Sequence, residues 1–189
     1  MIFPVLALIA GLPAPVARDT TTDTLAVYAA VLTDVRARVL EFDPHTDVIL
    51  DEAISRAGSR PPWPPMEYHR PETAAHLRAG GWIQGACRRG EASNACITSS
   101  HHRRLIISLG PVIGLPDTTR IPLKEPYLRS GAPVDSQARV AVGIAVDVVL
   151  DWPCSAPCRN PSIAAYRYFL RQVAPGRYEV VTRWITGAA

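Results

Sequence analysis

The chain has little of several features that would assign it to a familiar class of protein. After residue 17 it has no run of about 18 consecutive apolar residues, the length that a membrane-spanning helix needs. It also lacks a Gly-x-Ser-x-Gly motif, the nucleophile turn of α/β-hydrolases. Internal repeats and low-complexity tracts are missing too. The sequence therefore disfavours a helical membrane protein, a hydrolase of that fold and a repeat protein.

Lysine is nearly absent, because Lys124 stands alone against nineteen arginines. Residues 1–86 carry a net charge of −3 and residues 87–189 a net charge of +6. A basic half suits an anionic partner. Most of these arginines, however, stand singly between apolar residues, which is typical of the solvent face of a sheet. We therefore rank an anionic surface third among the partner classes and expect no nucleic-acid binding.

The chain begins with a short apolar leader. Residues 2–12 are an apolar run of signal-peptide length, and residues 13–17 are prolines and small or apolar residues. No lysine or arginine precedes the run, and the residues two positions before Ala14 and Ala17 are Leu12 and Pro15, not the small residues that a cleavage site prefers. The alternative is a misassigned start or an N-terminal strand. We predict a signal peptide over residues 1–17, export to the periplasm or the extracellular space, and no stable membrane span.

Proline is abundant, with 18 in 189 residues. The prolines gather in connectors such as residues 60–65, where four of them flank Trp63. The hydrophobic fraction of 48% and the charged fraction of 20% are ordinary for a globular protein with a core. Residues 18–189 are therefore predicted to form a single α+β domain whose regular elements are joined by proline-rich connectors.

The first half of the chain predicts two helices and a strand. Apolar residues recur at helical spacing behind a group of threonines that suit helix caps, which predicts a helix over residues 23–40. Residues 47–52 have the composition of a short strand. Pro71 in a first turn and Gly80 as a stop predict a second, short helix.

The second half has the alternating period of strands. Residues 110–136 are rich in glycine, proline and polar residues and predict a connector with little regular structure. A turn is predicted at residues 174–177. The strands are predicted at residues 103–109, 139–151, 165–171 and 178–185. The fold class is therefore α+β, with an N-terminal helix packed on a curled antiparallel sheet and a C-terminal β-meander.

Four cysteines form two close pairs, Cys87 with Cys96 and Cys154 with Cys158. An even number of cysteines behind an export leader favours disulfides. The gaps of eight and three residues do not fit zinc knuckles, so a metal site is disfavoured, and free or mixed thiols are the other alternative. Each pair flanks a turn-like segment, which favours local pairing among the three connectivities that four cysteines allow. We expect these bonds to fix corners of the meander.

Two groups of residues are candidates for ligand binding. Asp147 interrupts the most apolar strand on its small-residue face, and Tyr166 and Tyr168 on the next strand are expected to line the same surface. A concavity there would raise the pKa of the carboxyl group. His101 and His102 stand in the densest polar cluster of the chain, for which a solvated loop is the alternative interpretation.

Several segments together resemble an uncharacterised class of exported bacterial α+β proteins. They are the helix that begins at Val27, the strand at residues 48–52, the Cys-Ser-Ala-Pro-Cys corner and the closing strands at residues 166–170 and 176–181. The closing pair is similar to the end of cystatin-like and NTF2-like folds, in which a curled sheet wraps a helix. Those folds host binding modules, immunity-type proteins and isomerase-like enzymes, so the resemblance implies no single function.

These observations favour an exported, disulfide-stapled binding domain without catalysis or cofactor. Its ligand would be a protein, a peptide or a small molecule. The alternative is a pocket enzyme, a hydrolase or an isomerase, on the concave sheet face near Asp147, Tyr166 and Tyr168.

Overall fold

A computed structural model describes residues 20–42, 45–54, 67–88, 104–122, 139–152 and 162–188. Among these residues no helix is both long and apolar enough to cross a membrane. The elements run in chain order as α1 (Thr20–Phe42), β1 (Asp47–Asp51), α2 (Pro71–Ala79), β2 (Gly85–Cys87), β3 (Arg104–Gly114), β4 (Arg120–Pro122), β5 (Arg139–Ala141), β6 (Ile144–Trp152), β7 (Ser162–Ala174) and β8 (Arg177–Ala188). The α+β prediction is confirmed, including the N-terminal helix and the C-terminal meander.

Six of the strands form one sheet in the order β2-β1-β3-β6-β7-β8. The last three strands are consecutive and antiparallel, which makes the predicted meander. The sheet as a whole is mixed, because β1 pairs in parallel with both β2 and β3. Parallel neighbours need crossover connections, and α2 lies in the connection from β1 to β2.

Helix α1 covers one face of this sheet because its apolar side chains recur every three or four residues. They pack against alternate residues of the strands, which all point to the same face of the pleat. The buried cluster that results is the main core, whose members are Val27, Tyr28, Val31, Leu32, Val35, Val48, Leu50, Ala74, Leu77, Ile83, Leu105, Ile107, Leu109, Val146, Val148, Leu150, Tyr168, Leu170 and Tyr178.

The opposite face carries a smaller apolar cluster of Ile121, Val142, Ala145 and Phe169. Two of these residues show why the predicted strand at 139–151 is divided. Val142 packs with Ala145 on this second face, and the chain leaves the sheet at residues 142–143. The short strand β5 before the break pairs with β4 in a separate two-stranded sheet. From Ile144 onward the strand is regular, and Ile144, Val146, Val148 and Leu150 all lie on the face that α1 covers.

Residues 110–136 are not wholly irregular, since β3 continues to Gly114 and β4 follows. The strand passes through Gly110 and Pro111 by a shift of register against β6. Leu109 pairs with Val148 and Val112 pairs with Val146, so two residues of β3 stand opposite one of β6. A bulge of this kind tolerates proline because its extra residue lies outside the ladder.

Two buried side chains bond the carbonyl groups at this bulge. The Tyr28 hydroxyl of α1 donates to the Gly110 carbonyl at 2.9 Å. His69 Nε2 lies 3.2 Å from the Leu109 carbonyl, and since a carbonyl only accepts, this nitrogen carries the hydrogen. The two rings meet edge to face, 5.4 Å apart. This bulge clamp of Tyr28 and His69 ties α1 and the segment before α2 to the middle of the sheet.

Burial determines the protonation states of the two clamp residues. It raises the pKa of Tyr28 to about 12, so the hydroxyl keeps its proton. Burial also lowers the pKa of His69, and this outweighs the opposing effects of the Leu109 carbonyl and of the Asp51 and Glu52 carboxylates. Folding therefore selects the neutral imidazole.

We expect the free energy of unfolding to fall as the pH drops below about 6.5, the ordinary pKa of histidine in an unfolded chain. The unfolded chain then binds a proton that the folded His69 resists. His69→Gln should flatten this dependence between about pH 7 and pH 5, measured by urea unfolding at each pH. His76→Gln, a change at an exposed histidine, is the control and should keep the slope. Equal slopes for wild type and His69→Gln would contradict the assignment.

Candidate functional site

A groove opens along the N-terminal half of α1, between the end of α2 and the turn that joins β7 to β8. It has a volume of about 560 Å³, within the range of small-molecule sites. Its floor is mostly apolar and its two walls carry aromatic rings. The lining residues are Leu25, Ala26, Ala29, Ala30, Thr33, His76, Trp82, Gly176, Arg177 and Tyr178.

Trp82 forms the first wall and is fixed by several contacts. Its indole nitrogen donates to the Thr33 hydroxyl at 3.1 Å, and that hydroxyl donates to the Ala29 carbonyl. Arg36 donates to the Trp82 carbonyl at 3.3 Å. The His76 ring lies nearly parallel to the indole, 6.0 Å away. The wall is therefore bonded to the same helix that forms the floor.

Gly80, which ends α2, makes room for this indole. A Cβ atom at residue 80 would stand 1.9 Å from Trp82 Cζ3, so any side chain there would displace the ring. Gly81 follows with a φ of +74°, a left-handed conformation that glycine adopts without strain. The predicted stop of the second helix thus also positions a wall of the groove.

The second wall comes from the β7–β8 turn. Gly176 has a φ of +66°, which the tight turn requires. Tyr178, the second residue of β8, is buried against the main core. Arg177 between them is exposed and lines the groove. The wall therefore combines an aromatic ring with a cation at the rim.

Asp147 lies elsewhere, on the face of the sheet opposite α1. Arg167 stands directly across from it on β7 and binds it with two hydrogen bonds, Nε to Oδ1 at 2.7 Å and Nη2 to Oδ2 at 2.9 Å. The bond to Asp147 raises the pKa of the Arg167 guanidinium. The Asp147 side chain is 9% exposed and that of Arg167 is 40% exposed. Arg167 therefore supplies both a positive charge and hydrogen-bond donors to a nearly buried carboxylate in the middle of the sheet.

Tyr166 and Tyr168 do not share this surface, so the expected grouping with Asp147 is wrong. They pair with Val148 and Val146 and belong to the face that α1 covers. Arg183 donates to the Tyr168 hydroxyl at 2.9 Å and lies over the Tyr166 ring at 4.8 Å. Burial raises the pKa of Tyr168 to about 12. The two tyrosines are part of the core and its edge.

Other acidic residues of the sheet are engaged in internal contacts. Ser108 on β3 donates to Asp51 on β1 at 3.1 Å, and Arg88 binds Glu52 at 3.1 Å. Within the described ranges no three histidine, cysteine or acidic residues stand close enough to hold a metal ion.

Several predicted features lie outside the described residues. They are the leader at residues 1–17, the proline-rich connector with Trp63, His101, His102 and three of the cysteines (Cys96, Cys154 and Cys158). Cys87 is described, at the end of β2, and it is not a free thiol. Its partner is not among the described residues, so the pairing stays a prediction.

Sequence reasoning missed the groove. Its walls come from residues about 50 to 150 positions apart from its floor in the chain, and they carry no motif. The available signal was the group of alanines Ala26, Ala29 and Ala30 in α1, since small side chains on a helix leave space beside it.

Comparison with known proteins gives no relative for this chain. No protein-family model matches it, and neither a curated protein nor a solved structure does. The resemblance to cystatin-like and NTF2-like folds therefore remains a prediction.

We expect Arg167→Met to lower the free energy of unfolding by about 1–3 kcal/mol, because it leaves the nearly buried Asp147 carboxylate without its cation. Arg171→Met is the matched control. It breaks an exposed pair with Glu179 on the same hairpin and should cost less than about 1 kcal/mol.

Adding Asp147→Leu to Arg167→Met should restore most of the loss, since the charge that lacked a partner is then gone. Urea unfolding measures all three variants. Equal costs for Arg167→Met and Arg171→Met would show that Asp147 does not depend on its partner.

Proposed function

We propose that the protein is a binding domain without catalysis, whose ligand lies in the groove beside α1. The observation that carries the proposal is the groove itself, with an apolar floor between two walls that each hold an aromatic side chain, Trp82 and Tyr178. Ligand sites are mostly apolar with a few polar groups that fix orientation. Here those groups are the Thr33 hydroxyl, the His76 imidazole and the Arg177 guanidinium.

The chemistry of the lining favours binding over catalysis. Among the described residues that line the groove there is no carboxylate and no thiol. Their two hydroxyls are those of Thr33, which already bonds Trp82 and the Ala29 carbonyl, and of Tyr178, whose ring is buried against the main core. A pocket enzyme near Asp147 has weaker support. The carboxylate there is bonded to Arg167, and Tyr166 and Tyr168 lie on the other face.

The proposal includes export and disulfide staples. The apolar leader at residues 1–17 and the even number of cysteines support them, as does the bonded state of Cys87. Thiol alkylation of the exported protein followed by mass measurement tests this part. No cysteine should react before reduction and four should react after it, whereas four reactive thiols before reduction would contradict it.

Filling the groove should weaken the binding of an apolar probe. N-phenyl-1-naphthylamine is neutral, and its fluorescence rises in apolar sites. Ala30→Leu places a larger side chain on the floor and should weaken its affinity about tenfold or more. Ala37→Leu makes the same change two turns further along α1, outside the groove and on an exposed residue, and should leave the affinity unchanged.

Urea unfolding of both variants checks that the fold is retained. Probe affinity that Ala30→Leu leaves unchanged, or that both variants reduce equally, would contradict the proposed site.

A further inference from the structure

We propose that the ligand of the groove is a small organic anion, an aromatic or aliphatic body with one carboxylate or sulfonate group that pairs with Arg177. This inference rests on the proposed function, because it concerns the same groove. The proposed function leaves the charge of the ligand open. The further inference specifies that the ligand is negatively charged and that Arg177 recognises this charge.

The Arg177 side chain differs from those of neighbouring arginines in its contacts. Arg171 on the same hairpin is bound to Glu179 at 3.0 Å, and Arg36 beside the first wall is bonded to the Trp82 carbonyl. The Arg177 side chain has no ion pair or hydrogen bond within the described part of the chain. It is therefore a cation of the groove whose charge is available to a ligand.

The β7–β8 turn fixes the position of Arg177 at the rim of the groove. Pro175 and Gly176 form a tight turn in which proline restricts φ and Gly176 takes the left-handed conformation. Tyr178, the next residue after Arg177, is anchored in the main core. The backbone of Arg177 is thus fixed on both sides, which lowers the entropy lost when its side chain meets a ligand.

The charge of the lining is complementary to an anion. The ten lining residues that the structure describes include Arg177 and the His76 imidazole but no acidic side chain. An apolar floor with a cation at one rim matches a molecule with an apolar body and an anionic end. The groove volume of about 560 Å³ lies within the range of sites that bind small molecules.

Two probes with the same aromatic body test the inference. 8-Anilinonaphthalene-1-sulfonate carries the anion, and N-phenyl-1-naphthylamine does not. The full chain should bind the sulfonate about fivefold or more tightly than the neutral probe, a preference that added salt should reduce. Arg177→Gln should remove this preference, because it should lower the affinity for the sulfonate about fivefold more than the affinity for the neutral probe.

Arg139→Gln is the matched control, since it removes an exposed arginine outside the groove, on β5. It should change neither affinity. Both probes binding equally to wild type, or an unchanged preference in Arg177→Gln, would overturn the inference while the binding site stands. Failure of Ala30→Leu to weaken either probe would overturn the proposed function together with it.

Discussion

The bulge clamp at Gly110 and Pro111 is the interaction on which the arrangement of this fold depends. A proline in a central strand removes a ladder hydrogen bond, and the bulge that accepts it leaves carbonyl groups in need of partners. Tyr28 and His69 supply those partners from two other parts of the chain. Because an unsatisfied buried polar group costs about 1–3 kcal/mol, both side chains are held firmly in place.

The clamp determines where the groove lies. Tyr28 is flanked in α1 by the alanines of the groove floor, and the segment after His69 continues directly into α2 and then to Trp82. Tyr28 therefore fixes the position of the helix that forms the floor. His69 fixes the start of the segment that leads through α2 to the first wall. The second wall is fixed separately, by the burial of Tyr178 in the main core. Three segments far apart in sequence are thus brought together by contacts within the core.

Local pattern was enough to predict most of the regular elements. The period of α1, Pro71 and Gly80 around α2, and the alternation in β6 each depend on a few neighbouring residues. The relation of Asp147 to Tyr166 and Tyr168 could not be predicted in this way. A shift of one residue between two strands exchanges their faces, and the register here places Arg167 opposite Asp147. The glycine and proline at residues 110 and 111 predicted a connector instead of a strand. The strand continues there because Tyr28 and His69, which are distant in sequence, bond the carbonyl groups of the bulge.

The central claim is that this chain binds its ligand beside α1 and not on the opposite face of the sheet. Nuclear magnetic resonance of the isotopically labelled full chain, titrated with 8-anilinonaphthalene-1-sulfonate, tests it most directly. The chemical shifts that change should belong to residues 25–33 of α1, to the Trp82 indole and to residues 176–178. Shift changes centred on Asp147 and Arg167, on the opposite face of the sheet, would contradict it.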